Sequence, residues 1–147
     1  MATVMMIPGK TAIYALADSR TLTIVNYVGR AEKPVVRFRG HLDDRRSTSA
    51  KGRWIKQVVD ARANIVCLLI EWVDQEVAIL AEQYWLHTLW HQGYPLTNWS
   101  ASIQWAKLAY QPDIEFLPTK AEAITAGPNN IGLGIPCYGP YKKTVIR

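Results

Sequence analysis

Apolar and polar positions change rhythm several times along the chain, and each change marks an element. Ala12 to Leu16 reads as a short strand, and Leu22 to Val28 as a second one rich in β-branched side chains. Asp18-Ser19-Arg20 supplies turn chemistry between them, so the two make an antiparallel hairpin that Gly29 ends. Pro34 suits the first turn of a helix, where its missing N–H would have no partner anyway. From there to about Asp44, Val35, Phe38 and Leu42 recur at three- and four-residue spacing and predict a helix with that buried stripe. The polar stretch Arg46 to Ala50 leads into a second helix over Lys51 to Arg62. Apolar residues run without alternation from Ile65 to Ile70, which predicts a strand over Asn64 to Val73 covered on both faces. Asp74 is placed to cap a long helix from Gln75 to about His91, closed by Gly93 and Pro95.

The order is therefore β-β-α-α-β-α. It gives a compact α/β or α+β unit, three strands with helices packed on them, followed by a C-terminal extension. Residues 1–98 form the first unit, and residues 99–147 are an extension packed on or trailing the same domain. Ser100 to Tyr110 predicts one more helix, with Ile103, Ala106 and Tyr110 on one side. Beyond Gly127, glycine and proline predict loop or extended chain. No internal repeat is visible.

Composition refines this picture without changing it. With 147 residues, 49% of them apolar and 20% charged, the chain has the balance of one globular domain. No apolar run approaches the roughly 18 residues of a membrane helix. The opening Met-Ala-Thr-Val-Met-Met-Ile-Pro lacks the basic start and cleavage site of a signal peptide, so the expected location is the cytoplasm. In that compartment Cys67 and Cys137 are expected to stay thiols. The net charge of +5 matters through its placement. From Arg30 to Lys56 nine basic residues face three acidic ones, Glu32, Asp43 and Asp44. Arg30, Lys33, Arg39, Arg45, Arg46, Lys51 and Arg53 are the expected contacts to a nucleic-acid backbone.

Candidate chemistry gathers at the ends of the predicted elements. Tyr14 lies on the first strand, and Tyr27-Val28-Gly29 lies on the second. Arg37 and His41, four apart on the following helix, share a face. Glu82 has Ala78, Ile79, Trp85 and Leu86 as helical neighbours, so its carboxylate projects from a face expected to pack inward, where it needs a cation, a metal or a donor. These residue types suit phosphodiester hydrolysis. A carboxylate can hold Mg²⁺ and leave most of its shell to water and phosphate. An arginine can clamp phosphate and neutralise transition-state charge. A tyrosine hydroxyl or a histidine can take a proton from attacking water. Taken singly, each has a plainer reading: a strand tyrosine in a core, a solvated helix face, or a glutamate paired with a lysine or arginine. His87 and His91 are also four apart, but no third ligand follows at a matching spacing, so they read as surface or capping residues. Among the six tryptophans, Trp85 falls beside Glu82 on the inward face, and core packing is the better account of most of them than base stacking.

Taken in order, Ala12-Ile13-Tyr14, a 12-residue spacer, Tyr27-Val28-Gly29, Arg37 with His41, Glu82 within Ala81-Glu82-Gln83-Tyr84-Trp85-Leu86, and Gly93-Tyr94-Pro95-Leu96-Thr97-Asn98 resemble the GIY-YIG nuclease superfamily. The resemblance spans residues 12 to about 98. It implies a three-stranded antiparallel sheet flanked by helices, in agreement with the order read from periodicity. Tyr14 and Tyr27 correspond to the two motif tyrosines, one of which helps activate the attacking water. Arg37 matches the arginine that contacts the scissile phosphate, and His41 matches the His/Tyr position on the same helix. Glu82 matches the glutamate that ligates a single divalent metal. Gly29 and Asn98 fall at bracing positions. Ala12 departs from the usual glycine of the first triplet, and the spacer is slightly longer than usual.

The expected function is a metal-dependent endonuclease that hydrolyses DNA phosphodiester bonds with one Mg²⁺ or Mn²⁺, leaving 5′-phosphate and 3′-hydroxyl ends. The alternative is a catalytically inactive nucleic-acid-binding or interaction module on the same fold, with an unrelated small-molecule enzyme as a third reading. DNA is the expected partner, joined by a second copy in a homodimer or by a partner protein that supplies specificity, with no membrane involved. The small size suggests a stand-alone enzyme of a phage or mobile element. The DNA target is not written in the sequence.

Overall fold

The computed structural model describes residues 6–98 (apart from side chains 42 and 44) and 110–112, together with the backbone of strands 122–125 and 136–139. The hairpin consists of β1 (Lys10–Asp18) and β2 (Val25–Ala31). Helices α1 (Pro34–Asp43) and α2 (Ala50–Asp60) follow, then β3 (Ile65–Asp74) and α3 (Ala78–His91). Two short strands, β4 (Glu122–Thr125) and β5 (Pro136–Gly139), come from the C-terminal extension.

β1 lies between β2 and β3 and is antiparallel to both, which gives the expected three-stranded antiparallel sheet with its helices. Ala12 through Ala17 are all fully buried or nearly so. Successive strand residues point to opposite faces, so continuous burial means that β1 is covered on both sides. β3 has the same character from Ile65 to Ile70. β2 stands at one edge of the sheet. At the other edge β5 joins β3 in parallel, and β4 pairs antiparallel with β5, for a strand order of β2-β1-β3-β5-β4. The sequence allows extended chain beyond residue 127 but predicts no strand at 122–125. Strands of four residues carry too few alternations to reveal themselves by period. The helix expected over residues 100–110 lies outside the described residues except for Tyr110.

Several boundaries differ from expectation for physical reasons. Gly29 does not end the second strand but lies inside β2, and Leu22 to Ile24 belong to the turn. That turn is built by Asp18. Its carboxylate accepts the Arg20 backbone N–H at 2.8 Å and forms an ion pair with the Arg20 guanidinium at 2.6 Å, while its carbonyl accepts from Thr21 N–H. α2 is capped by the Ser49 hydroxyl, which accepts from Gly52 N–H at 3.0 Å. Asp74 makes no capping hydrogen bond; its carboxylate pairs instead with Lys10 across the β1–β3 ladder at 2.5 Å. Residues 75–77 form a single 3-10 turn before α3 begins. Gly93, with φ of 92°, closes α3 as expected, in a left-handed conformation that glycine adopts without a Cβ penalty.

The inward stripe of α3 is Ala78, Ala81, Trp85, Leu86 and Leu89. Ile79, expected inward, is 59% exposed. It sits about 100° round the helix from Ala78, in the first turn and off the inward stripe. Val35, Phe38, Ile55 and Val58 supply buried apolar side chains of α1 and α2; the Leu42 side chain, expected in the same stripe, lies outside the described residues. Among the described residues no helix is long and apolar enough to cross a membrane. Cys67 is buried in β3 and forms no disulfide among the described residues; the Cys137 side chain lies outside them.

Candidate functional site

The site begins with a departure from ladder regularity. β1 and β3 keep register from Lys10↔Asp74 to Ile13↔Glu71, then slip by one residue so that Tyr14 faces Leu69. Ile70 is the extra residue, and bulges of this kind re-aim neighbouring side chains. On its other side Tyr14 pairs with Gly29 of β2. A Cβ on Gly29 would lie 2.6 Å from the Tyr14 hydroxyl oxygen, so Gly29 leaves the volume that the tyrosine fills. Gly29 has an ordinary negative φ, and close approach is therefore the reason for glycine here.

Tyr14 is 1% exposed, and its hydroxyl oxygen lies 2.5 Å from Nε2 of His41, a completely buried residue of α1. The other ring nitrogen, Nδ1, accepts from the Lys51 ammonium of α2 at 2.8 Å. Tyr27 closes the group: its ring centroid is 5.0 Å from that of His41 and 6.4 Å from that of Tyr14, and Lys51 Nζ stands 4.9 Å from its centroid. Burial pushes the Tyr14 hydroxyl well above its ordinary pKa, with nearby Tyr27, Cys67 and Glu82 adding to the rise and Arg37 opposing it.

Tyr14 and Tyr27 open onto a polar pocket of about 400 Å³ that Thr11, Arg30, Ala31, Glu32, Arg37 and Glu82 also line. Glu82 reaches it from α3 with its side chain only 15% exposed, as its helical neighbours implied. Its Oε1 accepts from Arg30 Nη1 at 2.7 Å. Burial raises the Glu82 pKa, and the Arg30 charge and hydrogen bond only partly oppose it. Arg37 enters from α1 with an exposed side chain. Asn98 stands outside the pocket and braces β2: its Oδ1 accepts from Val28 N–H at 3.0 Å, and its Nδ2 donates to Val28 O at 2.8 Å.

Tyr14, Tyr27, Arg37 and Glu82 thus meet at one pocket, with His41 directly behind Tyr14 and Gly29 and Asn98 supporting the strands. The basic residues separate. Arg30 is inside the pocket on Glu82, and Lys51 is turned onto His41. Lys33, Arg39 and Arg46 are exposed, Arg45 is half-buried, and Arg53 donates to the Thr48 carbonyl. Thr11 and Glu32 join the pocket although the sequence does not single them out. Glu32 stands two residues after Arg30 at the end of β2, and this closeness to the second triplet was the one available signal. Trp85 is core, with its indole N–H donating to the buried Glu71 at 2.7 Å. His87 and His91 have ring centroids 4.2 Å apart at the end of α3, beside a hollow that Thr88 and Gln92 also line.

Among the described residues no group of three or more His, Cys, Asp or Glu side chains is arranged to hold a metal. The pocket therefore offers no dedicated protein cage. It does offer the Glu82 carboxylate beside open polar space, a donor set that fits a hydrated Mg²⁺ keeping most of its shell for water and phosphate oxygens. Compared with protein-family models, with curated proteins and with solved structures, the chain matches none.

Proposed function

We propose that the chain is a divalent-metal-dependent DNA endonuclease of the GIY-YIG type. The observation that carries this reading is the convergence on one pocket of two tyrosines, an arginine and a half-buried carboxylate from β1, β2, α1 and α3. Glu82 would hold the Mg²⁺ or Mn²⁺ ion, and Arg30 would give up Oε1 in exchange for a phosphate. When bound there, such an ion would supply positive charge against the phosphate oxygens. Arg37 reaches the pocket from the exposed face of α1 and clamps the scissile phosphate.

Proton acceptance falls to Tyr14, which lines the pocket, whereas His41 stands behind it and does not. In its ionised form the Tyr14 oxygen takes a proton from water. The water oxygen forms the new bond to phosphorus, the bond from phosphorus to O3′ breaks, and O3′ takes a proton from solvent. His41 Nε2 holds the Tyr14 oxygen in place throughout. Tyr27 walls the pocket beside it.

The test is cleavage of supercoiled plasmid in Mg²⁺, Mn²⁺ or EDTA by wild type, Glu82→Ala and Arg37→Ala. Metal-dependent nicking lost in both variants is the expected outcome. The Arg30–Glu82 ion pair favours the second reading, a nucleic-acid-binding module without cleavage, because a guanidinium already answers the charge that a metal would meet. Wild type that binds DNA yet cuts no form of it overturns the nuclease and leaves the module.

A further inference from the structure

Lys51 sits where helix energetics do not favour it. It is in the first turn of α2, after the Ser49 cap, at the end of the helix where the macrodipole is positive and a cation is disfavoured. Its side chain is half-buried, and its ammonium meets His41 Nδ1 at 2.8 Å and the Tyr27 ring at 4.9 Å. It does not line the pocket. These contacts give it a task other than meeting a DNA phosphate.

The chemistry of the donor fixes the tautomer of its partner. A lysine ammonium has three N–H donors and no acceptor, so His41 Nδ1 must be the accepting nitrogen. A neutral imidazole with Nδ1 bare carries its proton on Nε2. Nε2–H then donates to the Tyr14 oxygen, and the phenol proton cannot lie along that line. We propose that Lys51 is a positioning residue that locks His41 in the Nε2–H tautomer and so makes the Tyr14 oxygen an acceptor from His41. This rests on the nuclease reading for its consequence in catalysis, but not for the tautomer itself.

The lock matters because the two tautomers do opposite things to Tyr14. With Nε2–H, the imidazole donates to the phenol oxygen and favours its ionised form. With Nδ1–H, Nε2 accepts the phenol proton and holds Tyr14 in its neutral form. The chain Lys51–His41–Tyr14 thus works against the burial of Tyr14 and the neighbouring Tyr27, Cys67 and Glu82, in the same direction as Arg37.

The direct test is the ring-nitrogen NMR of ¹⁵N-histidine-labelled protein, in which only three histidines contribute. His41 in the wild type should show a bare Nδ1 and a protonated Nε2. Lys51→Met should move His41 toward the Nδ1–H form, and Lys51→Arg, which keeps a cationic donor, should restore the wild-type pattern. Circular dichroism of each variant checks that the fold is kept. An Nδ1–H signature in the wild type, or an unchanged Nε2–H signature in a folded Lys51→Met, overturns the proposal. The second arm separates positioning from phosphate contact. Lys51→Met should lower the single-turnover cleavage rate at saturating DNA by at least about tenfold while DNA affinity stays within about twofold. Lost affinity with an unmoved tautomer returns Lys51 to the DNA backbone. A moved tautomer in a protein that never cleaves supports the lock and counts against the nuclease alone.

Discussion

Gly29 and Tyr14 are register partners across β1 and β2, and a Cβ on Gly29 would stand 2.6 Å from the Tyr14 hydroxyl oxygen and 2.7 Å from Cζ. Tyr14 is 1% exposed and its hydroxyl already meets His41, so the ring has little room to retreat. Gly29→Ala should therefore cost about 1–3 kcal/mol in urea unfolding, the range of an overpacked core. It should also abolish cleavage by tilting the phenol off His41. Because Cζ is as close as the oxygen, adding Tyr14→Phe should not recover the lost stability. Full recovery in the double variant would locate the strain elsewhere.

Asn98 acts as one more pairing partner for an edge strand. β2 has β1 on one side, and on the other Asn98 answers both the N–H and the C=O of Val28, a residue buried at 0% exposure. Thr97 adds contacts to the Asn26 carbonyl at the bulge where β1 and β2 slip register. Asn98→Ala leaves two backbone groups without those partners and should destabilise by about 1–3 kcal/mol. Asn98→Asp should be at least as harmful, since it sets a second acceptor against the Val28 carbonyl. Denaturant midpoints that match wild type would remove Asn98 from any bracing role.

Cleavage should depend on pH in a direction set by Tyr14. Burial holds its ionisation well above the ordinary value of 10.0, so at neutral pH the ionised form is a small fraction. The rate should rise by about tenfold per pH unit at constant metal until another step limits. Tyr14→Phe should remove this dependence along with most of the rate. A bell with its maximum near neutrality would point to a different proton acceptor.

Glu82 links pH to stability with the opposite sign from a typical ion-paired carboxylate. Burial raises its folded pKa above the 4.5 of a free glutamate, and Arg30 only partly offsets this. The folded state then keeps a proton that the unfolded chain has released, so stability from this group is fully present below the unfolded value and is lost as pH rises through the folded one. Against Glu82→Gln, which cannot ionise, the wild type should lose relative stability as pH climbs from 4.5. A gain over the same window would mean that the Arg30 pair outweighs burial.

Long periodic segments are readable in the sequence, and contacts between distant segments are not. Val35 and Phe38 of α1, the unbroken apolar run of β3 and the inward placement of Glu82 all come from local period, and all hold. Asp74 has the neighbours of a cap, but Lys10, 64 residues away, claims its carboxylate. Arg30 and Lys51 read as members of a basic zone, since charge is all that a sequence displays of them. Their partners Glu82 and His41 are decided by how β2 meets α3 and how α2 meets α1. The bulges at Ile70 and Asn26 leave no local mark either, because each is a mismatch between two strands and belongs to neither alone.

Glu71 extends that lesson to the core beneath α3. In the sequence it only interrupts an apolar run, yet it is buried at 6% exposure, and its Oε2 accepts from Trp85 Nε1 at 2.7 Å and from Tyr110 Oη at 2.5 Å. A buried tryptophan needs an acceptor for its N–H, and a buried carboxyl needs donors, so β3 and α3 satisfy each other here. Tyr110 ties the chain after residue 98 to the same oxygen and packs edge-on against Tyr84, with centroids 5.8 Å apart. Tyr110→Phe keeps that ring contact and removes only the hydroxyl, so its cost should be about 1–2 kcal/mol in urea unfolding. Trp85→Phe removes a donor and core volume together and should cost more. Glu71→Leu withdraws the acceptor from both and leaves an indole N–H and a phenol facing an apolar group. In that background Tyr110→Phe should cost nothing further, and an undiminished cost there would show that Tyr110 stabilises the fold through some other contact.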